Sequence, residues 1–241
     1  AIGAPYNAAN GLYRSGSVYF YEDIGFELLP RWEQTRATLS GSAVNDWFGW
    51  SVSLSANGRR VAVGSPLDPD QARPGYARVF LYTGIDDIWV PLGQDLSLGG
   101  MGDRFGYSTS MNGEGTRLAV GAYRGNVTGV VLTYGLQKNE WSPLGGILKG
   151  MDSGDNFGFA LSMSRDGEYM AVSAPNRNTT AGTGAVSIYN NDGGGSWVAS
   201  RGEILSDVPA SLGFSVDISS GGERVAAGLP VANEARVYQQ V

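Results

Sequence analysis

The chain has 241 residues, 42% of them hydrophobic, which is enough apolar material to bury a real core in one large domain or two modest ones. Its formal net charge is −6, and its 15 Arg and two Lys (Lys138 and Lys149) are spread without clustering, which argues against nucleic acid or an anionic membrane surface as partner. With no Cys and no His it lacks thiol nucleophiles, disulfides, thiolate metal ligands and the commonest general base. No apolar run reaches the roughly 18 residues of a membrane span, so no membrane insertion is expected of this segment.

Glycine supplies 37 residues, scattered between short apolar runs with no collagen period, which predicts an all-β fold rich in turns. The chain opens on Ala1-Ile-Gly-Ala-Pro5, without an initiating Met or a signal peptide, as expected of a processed product or part of a longer chain. The same pentapeptide pattern returns as Ala62-Val-Gly-Ser-Pro66, Ala119-Val-Gly-Ala-Tyr123, Ala171-Val-Ser-Ala-Pro175 and Ala226-Ala-Gly-Leu-Pro230. Fourteen residues ahead of each later copy stands a second motif: Phe48-Gly-Trp-Ser51, Phe105-Gly-Tyr-Ser108, Phe157-Gly-Phe-Ala160 and Leu212-Gly-Phe-Ser215. A β run ending in Tyr follows each pentapeptide (Tyr21, Tyr82, Tyr134, Tyr189, Tyr238), and a Trp follows that in the first four (Trp32, Trp89, Trp141, Trp197).

Two motifs at fixed spacing define a unit of four strands in about 55 residues. The units run over residues 1–44, 45–101, 102–153, 154–208 and 209–241; the first begins at its second strand and the last stops at its third. Gly99-Gly-Met-Gly-Asp-Arg-Phe-Gly106, which alone resembles a phosphate-cradling loop, is then the link between two units, and it has counterparts at 43–49 and 151–158. No nucleotide cofactor is implied.

The first strand of each unit, read from Phe48, alternates large apolar residues (Phe48, Trp50, Val52, Leu54) with Gly and Ser, and the second strand repeats the contrast with Val61 and Val63 against Ala62 and Gly64. A solvated face would carry charged residues or Thr. Both faces are therefore predicted to be buried, the bulky side of one sheet on the small side of the next, as in propeller blades. Tight turns such as Asn57-Gly58 and Asp166-Gly167 connect the first two strands.

Phe-Gly-x-Ser followed by Ala-Val-Gly-Ala-Pro resembles the FG-GAP repeat of integrin alpha-chain propellers and of FG-GAP-like arrays in large surface proteins, over essentially the whole chain. The resemblance implies a β-propeller that binds a protein or glycan outside the cell. Family members that hold calcium carry an Asp-x-Asp-x-Asp-Gly loop between the first two strands. Here those loops are shorter and offer few carboxylates, such as Glu114 or Asp166, so no metal site is carried over. The family usually closes at seven blades. The five units imply either a piece of a larger propeller, which the non-complementary missing strands favour, or a five-bladed ring with one thin blade.

Few residues break the repeat. Asp217 stands where Ser53, Ser110 and Ser162 stand in other units, and Asp86-Asp87 and Asp68-x-Asp70 are acidic pairs expected to be solvated loop charge. Asp46, Asp103 and Asp155, each two residues before a Phe, are expected to accept backbone N–H groups in turns. The loops between second and third strands vary in length and carry Tyr6, Tyr13, Leu67, Arg73, Tyr123 and Arg124, the expected binding residues, since Tyr and Arg are enriched at interface hot spots. Two of these loops hold Asn-x-Thr sequons at Asn126 and Asn178, candidate glycosylation sites on one rim. The reading is a non-catalytic binding or adhesion module of an extracellular or surface protein, binding through this loop face. The alternatives are a structural subunit of a large assembly and a carbohydrate-active propeller enzyme, which would need a pair of converging carboxylates.

Overall fold

In the computed structural model, which describes residues 1–25, 29–67, 73–84, 86–179, 182–200 and 202–239, each repeat folds into its own antiparallel sheet. The second sheet shows the plan: Ser51–Leu54, Arg60–Ser65, Tyr76–Tyr82 and Trp89–Pro91, each hydrogen-bonded to the next. The third and fourth start from Ser108–Met111 and Leu161–Met163 and repeat the same order. The first sheet has three strands (Ile2–Ala4, Ser17–Asp23, Trp32–Ser40) and so has the last (Val216–Ile218, Arg224–Leu229, Glu234–Gln239), as the truncated end units require. Among the described residues no pairing joins the first and last sheets. Pro209–Leu212, at the start of the fifth unit, pairs in parallel with Thr183–Asn191 of the fourth sheet.

The apolar residues gather between the sheets rather than within one central core. Val18 and Phe20 meet Phe48, Val61, Val63 and Phe80 across the first joint; Ala62, Val79 and Leu92 meet Phe105, Leu118, Val120 and Trp141 across the second. Small residues of one sheet (Ala62, Ala119, Ala171) face bulky residues of the next, as the alternation predicts. Each fully buried bulky side chain contributes roughly 1.5–3 kcal/mol.

Glycine is what lets the sheets come this close. A Cβ placed on Gly64 would lie 2.0 Å from the carbonyl oxygen of Gly106 in the next sheet, and one on Gly121 would lie 2.3 Å from that of Gly158. Ser51 Oγ donates to that Gly106 oxygen at 2.9 Å, and Ser108 Oγ donates to the Gly158 oxygen at 2.7 Å. The Gly106 N–H, which a phosphate loop would need free, donates within its own sheet to Gly121. Two residues further along, Ser53, Ser110 and Ser162 each accept a backbone N–H from the next inner strand (Met111, Met163 and Ile218).

The outer Trp of each sheet reaches back to the sheet before it. Trp89 stacks on Phe20 at 4.4 Å, Trp141 Nε1 donates to the Leu92 carbonyl, and Trp197 Nε1 donates to Thr133 Oγ1. Trp32, on the first of the described sheets, is 65% exposed. On the hairpin rim Arg60 and Arg117 reach forward, donating to the Gly115 and Gly167 carbonyls of the following hairpin.

The buried aspartates fix the links between units. Asp46 accepts the N–H groups of Ser42 and Ala43, the hydroxyl of Tyr76 and the guanidinium of Arg73. Asp103 and Asp155 accept from Phe105 and Asp152. Burial pushes the Tyr76 hydroxyl up to about 12.

Two tests follow from this packing. Gly99 and Gly106 share a φ of +86°, but a Cβ on Gly99 meets nothing within 4 Å while one on Gly106 meets the Tyr76 carbonyl oxygen at 2.3 Å. Gly99→Ala should cost about 1 kcal/mol of left-handed strain, and Gly106→Ala should cost at least about 2 kcal/mol more in urea denaturation; equal losses would mean the joint is loosely packed. The second concerns Asp103, whose carboxyl pKa is raised, chiefly by burial, and whose Oδ2 lacks a partner. A folded state that holds its proton more tightly gains stability below the ordinary carboxylate range and loses it as pH rises through the raised pKa. Asp103→Asn keeps an acceptor for Phe105, so its stability relative to wild type should rise from acid to neutral pH; a pH-independent difference would contradict the assignment.

Candidate functional site: the aromatic loop face

The Phe-Gly-x stretch is a turn, and strand one starts after it, at Ser51 in the second sheet. Trp50, Tyr107 and Phe159 donate their N–H groups back to Trp47, Arg104 and Asn156 at 3.0–3.1 Å. Each turn needs positive φ twice, at the glycine and at the residue before the Phe or Leu: Trp47 (54°), Arg104 (63°), Asn156 (58°) and Ser211 (53°). This corrects the alternation expected from Phe48. The turn shifts the phase, so Phe48, Phe105 and Phe157 are buried between sheets while the aromatic residue two places on turns toward solvent.

As a result Trp50, Tyr107, Phe159 and Phe214, one per sheet, form a row with ring centroids 5.3, 5.0 and 5.1 Å apart and planes tilted by 41–49°. Tyr6 and Trp47 extend it at one end, Tyr6 lying edge-on to Trp47 at 5.6 Å and Trp47 stacking on Trp50 at 5.2 Å. Tyr123 packs on Tyr107 at 4.5 Å and on Phe159 of the next sheet at 5.7 Å. The inner members are half-buried, while Tyr6 and Phe214 are 56% and 53% exposed.

Three guanidinium groups lie on these rings. Arg14 sits over Tyr6 (5.5 Å) and Tyr13 (5.0 Å), Arg104 over Trp47 (5.4 Å), and Arg124 over Tyr123 (5.6 Å). Among the described residues none of the three has a carboxylate within ion-pair distance, whereas Arg73, Arg78, Arg117 and Arg177 each hold one. Arg104 is only 6% exposed and donates from Nη1 to the Leu67 carbonyl. Burial raises the Tyr107 hydroxyl pKa, Tyr123 adds to the rise, and Arg104 opposes it.

Of the residues expected to bind, Tyr6 and Tyr123 belong to the aromatic row, Tyr13 flanks it through Arg14, and Arg124 is exposed upon Tyr123. Leu67 is a correction: it is 2% exposed, its carbonyl held by Arg104, so its side chain offers nothing to a partner. Arg73 serves the buried Asp46, as counter-charge at 2.9 Å. Asn126 and Asn178 are both exposed, though Thr180 of the second sequon lies outside the described residues. The sequence reading missed Trp47, Trp50, Tyr107, Phe159, Phe214, Arg14 and Arg104. The available signal was that the residue after each Phe-Gly or Leu-Gly is aromatic in all four copies.

The singular carboxylates have local roles. Asp217 accepts Ser162 Oγ at 2.8 Å, Asp87 accepts the Tyr82 hydroxyl and the Ala37 N–H, and Asp166 accepts the Glu168 N–H. Glu114 is exposed, and Asp68 and Asp70 lie outside the described residues. Among the described residues no three acidic side chains gather as a metal site would require.

Residues 32–80 match the family model of the FG-GAP repeat. The fold resembles a 6-phosphogluconolactonase-like protein of Bacteroides uniformis (TM-score 0.59, 14% identity, 85% of this chain and 56% of that one). It also resembles one of Bacteroides fragilis (TM-score 0.55, 12% identity, 79% of this chain and 50% of that one). The chain thus spans about half the length of these structures, and at such identities the likeness is one of fold. No curated protein matches the chain significantly. Motif pairs at every joint, separate sheets in series and the matched repeat lead to one conclusion: the chain has a β-propeller fold, and residues 32–80 are an FG-GAP repeat within it.

Proposed function

We propose that the chain is a non-catalytic binding module whose partner, a protein or a glycan, docks on the loop face. The observation that carries this reading is the aromatic row with its unpaired arginines, because half-open rings on a strained backbone cost stability and are retained where they meet something. The FG-GAP resemblance adds an extracellular or cell-surface setting and a role in adhesion, in which Asn126 and Asn178 would carry glycans at the rim of the same face. The inner strands offer glycoside chemistry one carboxylate, Asp217, where such chemistry uses two.

The test is to identify the partner by crosslinking and measure its affinity for surface variants. Tyr6→Ala/Arg124→Ala should weaken binding by roughly 2 kcal/mol or more. The control is Arg59→Ala/Arg224→Ala on the hairpin rim, where both residues are exposed; Arg60 is unsuitable because it bridges two hairpins. Loss of binding in the control alone would put the partner on the opposite face.

A further inference from the structure

The chemistry of the loop face narrows the ligand class. An aromatic surface could hold an incoming cation, but here one face of each of the Tyr6, Tyr13, Trp47 and Tyr123 rings already carries one of the protein's own guanidinium groups. A second cation would meet like charge in each place. In a chain of net charge −6, these rings gather three guanidinium groups that have no carboxylate at ion-pair distance among the described residues. Asp152 is exposed on the 151–158 link, whereas the two aspartates of the earlier links are engaged. Asp46 is buried and saturated by Arg73, Tyr76 and two backbone N–H groups, and Asp103 is buried with Oδ1 taken by Phe105.

The charged groups that lie on the rings are therefore all donors. A peptide backbone brings an N–H donor for every carbonyl, and the guanidinium groups on the rings can accept from none of them. A carboxylated sugar chain brings acceptor oxygens in its carboxylates, rings and glycosidic linkages, hydroxyls that both donate and accept, and C–H faces that stack on aromatic rings. The rings also recur once per sheet in a continuous arc, which suits a linear ligand of repeating units.

We propose that the loop face binds an acidic polysaccharide, its sugar rings lying on Tyr6, Trp50, Tyr107 and Phe159 and its carboxylates meeting Arg14 and Arg124. Arg104 lies beneath as a fixed positive charge behind Trp47. This rests on the loop-face reading and specifies its ligand.

The experiment is calorimetric titration of the full chain with an oligogalacturonate, the same oligomer carboxyl-reduced to its neutral form, and a poly-glutamate of matched charge. The oligogalacturonate should bind at least about tenfold more tightly than either comparator, and Arg14→Gln/Arg124→Gln should lose about tenfold of that affinity, as expected for charge-assisted hydrogen bonds. Tyr6→Ala should also weaken it, and Arg59→Gln/Arg224→Gln should not. Because Arg14 and Arg124 make no ion pair among the described residues, their replacement should cost only the ring contacts and lower the melting temperature by a few degrees at most, leaving the fold intact. Absence of oligogalacturonate binding, equal binding of the neutral oligomer or of poly-glutamate, or indifference to the Arg14 and Arg124 changes would overturn the proposal. If poly-glutamate or the neutral oligomer binds and Tyr6→Ala abolishes it, the polysaccharide is wrong and the loop face stands. If binding is lost only in the Arg59 and Arg224 variant, both fall.

Discussion

The architecture depends on one contact, the approach of a glycine in strand two to the carbonyl of the Phe-Gly glycine in the next sheet. It recurs at Gly3 on Gly49, Gly64 on Gly106 and Gly121 on Gly158, at distances that leave no room for a side chain. At the fourth joint Ser173 takes the place of the strand-two glycine, and a Cβ on Gly213 would meet its Cβ at 2.7 Å. This contact fixes the sheet spacing at the inner edge. The serine hydroxyls then reach the same carbonyl, the bulky residues of strand two fill the widening space behind, and the outer Trp closes the far edge. Both repeated motifs are thus halves of one joint: each Phe-Gly-x-Ser meets the pentapeptide of the preceding unit.

The candidate site follows from the same contact. Bringing a glycine carbonyl against the neighbouring sheet requires a tight turn before strand one, and that turn places a non-glycine residue at positive φ in every unit. Such a conformation costs of order 1 kcal/mol or more per residue. It also turns the residue after the glycine away from the interior, so a motif that serves packing generates a row of aromatic side chains facing solvent. Arginines from the loops and links fill the ring faces, and the packing energetics are tied in this way to the chemistry of the surface.

The repeat, the number of units, the incomplete end sheets and the bulky-on-small packing were legible in the sequence because they rest on spacing and alternation. The phase shift at the turn was not. The residue at positive φ is Trp47, Arg104, Asn156 or Ser211, and these four side chains share no property that announces a left-handed backbone. Leu67 read as an exposed loop residue because its partner Arg104 lies 37 positions away and binds its carbonyl rather than its side chain. Arg60 latches onto the hairpin of the next sheet, a contact that exists only once two repeats are stacked. Tyr6, Tyr123 and Arg124 were found from loop variability, while the aromatic row they join was hidden inside a motif that reads as purely structural.

The most direct test of the account is amide hydrogen exchange in Gly64→Ala. The added methyl group would press on the Gly106 carbonyl across the joint, although Gly106 and Tyr107 belong to the next repeat. The account predicts faster exchange at the Gly106 and Tyr107 amides, with those of Gly158 and Gly213 at later joints unchanged. Loss of protection confined to the strands of the second sheet would contradict it, since the sheets would then be held by side-chain packing without the glycine contact.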